Sequence, residues 1–276
     1  MKLSIIEDDY ETFIASKMKS HAPSGFDPVS LPDSLFPFQE FIVRRSLVHG
    51  KYAVFADCGL GKTIMQLSWA RAIWYEEGLQ VLILSPLAVV EQTIEEAAKF
   101  HIPLDGITVT NYEQLDNIDP TEFGAVVLDE SSILKNFEGA TKKKIVSMFE
   151  NTKYKLCCTA TPSPNDPVEL GNHAEFLGVM SRTEMLAMYF VHDAGDTGEW
   201  RLKGHAVKHF YEWVSTWAIM LNKPEDIGFP MPGYHLPELR IVENKIETPT
   251  KAGDFLINDM AVSAAEFNAE LRRTMK

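Results

Sequence analysis

Residues 56–63, Ala-Asp-Cys-Gly-Leu-Gly-Lys-Thr, follow a short apolar run at Tyr52–Phe55 and open a helical pattern at Thr63–Tyr75. A strand that runs into a Gly-containing turn, and leaves it as a helix beginning Lys-Thr, reads as a phosphate-binding loop. Gly59 and Gly61 let the backbone bend tightly and aim its N–H groups inward. Lys62 then reaches the β and γ phosphates of a nucleotide, and the Thr63 hydroxyl ligates Mg²⁺. The positive end of the following helix adds to the same anion site. The strict form of the pattern starts with Gly where this chain has Ala56, so the match is to its relaxed form.

Apolar runs and helical patterns alternate through the first two thirds of the chain. Strands are expected at Tyr52–Ala56, Val81–Ser85, Ile107–Thr110, Ala125–Leu128 and Lys155–Thr159. Helices are expected between them at Thr63–Glu76, Ala88–His101 and Thr141–Glu150. Continuous apolar strands separated by helices imply an α/β fold, a mainly parallel sheet with helices on both faces, whose ligands bind at the carboxyl ends of the strands. Beyond Leu170 the pattern reads as a helical extension. His173–Tyr189 and the aromatic-rich Ala206–Leu221 are each expected as one helix, with a polar loop at Asp193–Gly198. Leu239–Ile246 alternates like a strand, and Phe267–Lys276 is a charged helical pattern.

Ala125–Leu128 runs directly into Asp129 and Glu130. Downstream of a phosphate loop this acidic pair has a use: Asp129 holds Mg²⁺, directly or through water, and Glu130 orients and polarises the water that attacks the γ-phosphate. The formal net charge of −13 excludes a generally basic nucleic-acid binder and leaves room only for a local basic face. Cys58, Cys157 and Cys158 lack zinc-ligand spacing, and a Cys157–Cys158 bridge would be strained, so reduced thiols and a cytoplasmic location are expected. No apolar run approaches the length of a membrane span, and no membrane partner is expected.

The order Gln39, then residues 56–63, then Asp129-Glu130-Ser131-Ser132-Ile133-Leu134-Lys135-Asn136, then Thr159-Ala160-Thr161-Pro162-Ser163-Pro164-Asn165, resembles the Swi/Snf-like branch of the superfamily-2 helicases and translocases. Among these it is most similar to the compact versions encoded by bacteriophages. The chain departs from the family at Ser131-Ser132, where Ala-His is usual.

That resemblance, which covers roughly residues 30–240, implies a RecA-like ATP-binding lobe at 36–178. A lead-in at 1–35 precedes it, and a helical extension at 179–238 and a hinge at 239–276 follow. It implies ATP and Mg²⁺ as cofactors, sequence-independent contact with the DNA backbone, and an ATP hydrolase of the helicase or translocase class. Gln39 would read adenine, since a carboxamide donates and accepts at once, although a plain helix-start residue fits as well. Ser85, Pro86, Thr110, Asn111 and Tyr112 match segments that grip nucleic acid, with capped strand-to-helix turns as the alternative. Thr159 and Thr161 match the segment that couples hydrolysis to lobe movement. The sequence has no Q-x-x-G-R-x-x-R pattern, so a second RecA-like lobe, in cis or in trans, is expected to supply the arginine finger, and the isolated chain is expected to be weakly active or inactive. An adaptor module controlled by nucleotide state, without movement on DNA, is the alternative. Lys142-Lys143-Lys144 reads as a solvated face, and Phe210, Tyr211, Trp213 and Trp217 read as core rather than a base-stacking platform, with Lys203 and Lys208 as possible phosphate contacts.

Overall fold

Apolar runs with little polar alternation cannot leave one face in water, and they become the inner strands of a single parallel sheet. The computed structural model describes residues 22–135, 139–192 and 200–234. In chain order the elements are α1 (Pro37–His49), β1 (Lys51–Ala56), α2 (Lys62–Glu77), β2 (Val81–Ser85), α3 (Val90–Lys99), β3 (Ile107–Asn111), β4 (Ala125–Asp129), α4 (Ala140–Met148) and β5 (Tyr154–Thr159). They continue with α5 (Leu170–Leu177), α6 (Arg182–Tyr189), β6 (Phe190–His192), β7 (Trp200–Leu202), α7 (Val207–Ser215) and β8 (Ala218–Leu221). The sheet order is β3-β2-β4-β5-β1-β8, every neighbouring pair parallel, while β6 and β7 form a separate antiparallel pair. Each of the five strands expected from the sequence lies within one residue of its observed bounds.

Alternation along the strands sorts the core into two layers. Ala53, Phe55, Leu82, Leu84, Val126, Leu128 and Cys157 face α4, α5, α6 and α7. Tyr52, Val54, Val81, Ile83, Val127, Leu156 and Cys158 face α1, α2 and the Ala97 side of α3. Neighbouring residues on a strand point to opposite faces, so Cys157 and Cys158 belong to different layers. Both are free and buried, and burial pushes both thiols well up.

Two expected helices are divided, each for a local reason. The run His173–Tyr189 breaks because Gly178 closes α5 in the left-handed region (φ +71) and Ser181 opens α6, its hydroxyl accepting from the Glu184 N–H. The aromatic run stops at Ser215, and Ala218–Leu221 turns into β8, in register with Ala53–Ala56 of β1. A short apolar run fits either period, and here pairing with the sheet decides. Residues after 178 therefore add the outermost strand beside β1 as well as helices, within the compact unit that extends to Tyr234. The polar loop at Asp193–Gly198, the strand expected at Leu239–Ile246, the hinge at 239–276 and the helical pattern at Phe267–Lys276 lie outside the described residues, as do residues 1–21 of the lead-in. Among the described residues no helix is long and apolar enough to cross a membrane.

Candidate functional site

Because all six strands run the same way, Ala56, Ser85, Asn111, Asp129 and Thr159 end at one edge of the sheet. β1 leaves through Asp57–Gly61, with Gly59 (φ +81) and Gly61 (φ +76) in backbone regions that side-chain-bearing residues avoid. A Cβ at Gly59 would meet nothing within 4 Å, whereas one at Gly61 would lie 2.4 Å from Gln39 Nε2. Gln39 is only 3% exposed. Its Nε2 donates to Leu60 O (3.0 Å) and its Oε1 accepts from the Phe36 N–H (2.9 Å), so it braces the loop from beneath. The Lys62 ammonium folds back across the turn onto Ala56 O (2.8 Å) and Asp57 O (3.1 Å), and half-buried Thr63 follows it in the first turn of α2.

One helical turn after Lys62, Gln66 reaches across to β4, and its Nε2 donates to Asp129 Oδ1 at 2.7 Å. Gln66 is fully buried and its Oε1 finds no hydrogen-bond partner. Burial is the main influence on Asp129 and pushes its carboxyl up. The Gln66 bond and the Lys62 charge oppose that shift, and the neighbouring Glu130 charge adds to it. Gln66 went unassigned in the sequence, although its spacing of four from Lys62 puts both on one helix face. The residues suit the expected group. Gly59 and Gly61 bend the loop at positive φ beside the Lys62 ammonium, and Thr63 and Asp129 offer the hard oxygen donors that Mg²⁺ takes alongside phosphate oxygens. Among the described residues no cluster of three or more His, Cys, Asp or Glu could hold a metal ion by itself.

Glu130 turns the chain sharply, with φ +52. Its Oε1 accepts from Ser132 Oγ (2.7 Å) and Thr159 Oγ1 (2.6 Å), and Thr159 Oγ1 accepts in turn from the Thr161 N–H (3.0 Å). The acidic turn and the Thr159–Thr161 segment are thus joined by side chains, with a serine where the related pattern has histidine. Ser131, fully buried, lies 3.1 Å from Nε2 of His173 on α5. Burial drives that imidazole down to about 4, so it is neutral. Ser132 and His173 were also unassigned. Ser132 was visible as the departure from the usual motif, but nothing in the sequence brings position 173 to position 131.

The residues expected at nucleic acid divide. Pro86, Thr110 and Asn111 are half-buried at the strand ends. The Asn111 Oδ1 accepts from the Glu113 N–H (3.0 Å), which makes it a cap of the following turn. Ser85 is fully buried and its hydroxyl has no hydrogen-bond partner. Tyr112 corrects the expectation: its ring is buried and its hydroxyl donates to Asp129 O (2.7 Å), so it supports the acidic turn from inside. Burial pushes the phenol far above its usual range.

Lys142 also departs from the expected solvated face, since it is buried and ion-paired with Glu175 of α5, while Lys143 is exposed. Phe210, Trp213 and Trp217 are core, as expected, with Trp213 stacked on Tyr189 and only Tyr211 largely exposed. Lys203 donates to Ala187 O and Met188 O and so caps α6; the ammonium of Lys208 is 3.8 Å from Glu212.

No family model matches the chain. It is 28% identical over 190 residues to the DNA annealing helicase and endonuclease ZRANB3 of Mus musculus, a match covering 58% of this chain and 17% of that protein. It is 27% identical over 165 residues to the SWI/SNF-related matrix-associated actin-dependent regulator of chromatin subfamily A-like protein 1 of Xenopus tropicalis, covering 51% of this chain and 17% of that one. The match therefore spans about a sixth of the length of these relatives. Its fold matches the Sulfolobus solfataricus SWI2/SNF2 ATPase core, solved in complex with dsDNA, with a TM-score of 0.58 and 21% identity over 71% of this chain and 46% of that one. By sequence the chain is similar to these SWI/SNF-related and helicase proteins, and its mainly parallel six-stranded sheet has the RecA-like fold of the SWI2/SNF2 ATPase core.

Proposed function

We propose that this chain is the ATP-binding lobe of an ATP-dependent DNA translocase or helicase, and that it couples hydrolysis to movement on DNA once a second RecA-like lobe, in cis or in trans, closes over the nucleotide. The observation that carries this is the convergence of Lys62, Thr63, Asp129, Glu130 and Thr159 at one edge of the sheet, linked by Gln66 between the loop helix and Asp129 and by the Thr159–Glu130 bond. The names of the relatives support it, since those proteins are described as a DNA helicase and a SWI/SNF-related regulator, and the structural neighbour was solved on dsDNA.

In this proposal the loop N–H groups and Lys62 hold the β and γ phosphates, and Thr63 and Asp129 hold Mg²⁺. The bound Mg²⁺ supplies charge neutralisation at the transferring phosphoryl group. Glu130 orients the attacking water and accepts its proton, held for that task by Ser132 and Thr159. Gln39 keeps one N–H and one lone pair beyond its two loop bonds for an adenine edge. Pro86, Thr110 and Asn111, with the backbone of their turns, form the DNA-facing side, binding phosphates without reading sequence.

The test is ATP hydrolysis with and without DNA, by the chain alone and with a matching second lobe fused after Lys276 or added separately. An arginine finger is worth ~10³ to 10⁵ in turnover, so completion is expected to raise the DNA-dependent rate at least about a hundredfold. Hydrolysis indifferent to DNA in the completed protein would favour an adaptor controlled by nucleotide state instead.

A further inference from the structure

Glu130 is one of two non-glycine residues with positive φ among those described, the other being His101. A left-handed backbone is sterically unfavourable for a side-chain-bearing residue, so neighbouring groups must hold it. Three holds are already in view: Ser132 and Thr159 on the Glu130 carboxylate, and Tyr112 on the Asp129 carbonyl. The fourth comes from outside the acidic segment. His173, fully buried on α5, faces the Ser131 hydroxyl with Nε2 and sets its ring edge-on against Phe55, centroids 5.1 Å apart. Phe55 is the residue of β1 immediately before Ala56, where the phosphate loop begins. One side chain thus touches the strand that feeds the loop and the residue that follows Glu130.

We propose that His173 is a positioning residue: its Nε2 accepts the Ser131 hydroxyl proton and locks the left-handed turn that aims the Glu130 carboxylate at Thr159. A neutral imidazole has one acceptor nitrogen, and a serine placed at position 131 gives it a donor. In this chain Ser131 and Ser132 divide the task. Ser132 binds the carboxylate, and Ser131 anchors the turn to α5 through His173. The catalytic meaning of the arrangement rests on the role proposed for Glu130, but the arrangement itself is testable without nucleotide.

The readout is the Thr159 hydroxyl proton, observed by NMR on the full chain. A buried hydroxyl bonded to a carboxylate exchanges slowly with water, and its loss in Thr159→Val but not in Ser132→Ala assigns it to Thr159 rather than to the Ser132 hydroxyl on the same carboxylate. His173→Phe fills the ring's space without a nitrogen, and His173→Gln returns a polar group near the Nε2 position. The exchange rate is expected to rise at least tenfold in His173→Phe and in Ser131→Ala, and to return toward the wild-type rate in His173→Gln. A role in packing alone would leave the signal intact in His173→Phe. If that variant does not fold, Ser131→Ala carries the test, because it removes one oxygen and no volume that the core needs. A protected signal that survives Ser131→Ala, or that is absent from the wild type, overturns the proposal. Mg-ATP binding to the wild type and its loss in Lys62→Ala are measured separately, so failure of the nucleotide site shows there and not here.

Discussion

The Thr159 hydroxyl donates to Glu130 Oε1 across 2.6 Å, joining the end of β5 to the acidic turn after β4. A bond to a charged acceptor is worth about 1.5–3 kcal/mol. Thr159→Val, nearly equal in volume, is therefore expected to lower turnover of the completed protein by about tenfold or more while leaving Mg-ATP affinity unchanged. Glu130→Gln is expected to keep binding and abolish turnover, because a carboxamide cannot take the proton. Steady-state kinetics beside calorimetry checks both, and normal turnover by either variant would remove that residue from the proposed chemistry.

Gln66→Leu removes the donor that holds Asp129 and leaves a buried carboxylate with one fewer partner. The expected results are a loss of about 1–3 kcal/mol in urea unfolding and a several-fold higher Mg²⁺ concentration for half-maximal nucleotide binding. Unchanged Mg²⁺ dependence would show that Asp129 needs no such support.

His173 titrates at about 4 in the fold, down from its ordinary 6.5, because burial disfavours the imidazolium. A depressed folded value means that protons bind the unfolded chain first. This contribution to stability is complete above pH 6.5 and is lost as pH falls from 6.5 through 4, by an amount on the order of 3 kcal/mol. Unfolding free energies across that window should slope less steeply in His173→Gln. Identical slopes would mean that the imidazole is solvated.

Lys142 and Lys143 are neighbours with opposite fates. Lys142 is buried against Glu175, whose carboxylate is partly screened by solvent, and Lys143 is exposed. Lys142→Ala is expected to cost about 1–3 kcal/mol, and Lys143→Ala to stay within about 0.5 kcal/mol. Equal effects in thermal or urea unfolding would contradict the burial.

The strands were legible because each is a short apolar run ended by a turn signal, and parallel pairing forces the motif residues to one edge. Lys62, Asp129 and Thr159 could be placed there from sequence for that reason. Two kinds of information were not local. Ala218–Leu221 fits a helix or a strand by pattern alone, and only the open side of β1 makes it a strand. Likewise Ser131 meets His173 only because α5 packs over β1, β5 and the turn after β4, a contact between residues 42 apart. Tyr112 misled because a strand-end aromatic looks available, whereas the turn after β3 carries its ring inward to the Asp129 carbonyl. Gln66 was within reach, one helical turn from Lys62 and the same side of α2.

The central claim is that the Ala56–Thr63 turn, with Asp129 opposite, binds a Mg-nucleotide, and isothermal titration of Mg-ATP into the full chain and its Lys62→Ala variant tests it most directly. The Lys62 ammonium is held at the loop by two carbonyls, ready to exchange them for phosphate oxygens. Loss of a charge-assisted contact of this kind is expected to weaken binding by at least about tenfold, with the unfolding transition unchanged. Equal affinity of the two proteins for Mg-ATP, or no binding by the wild type, would contradict the account.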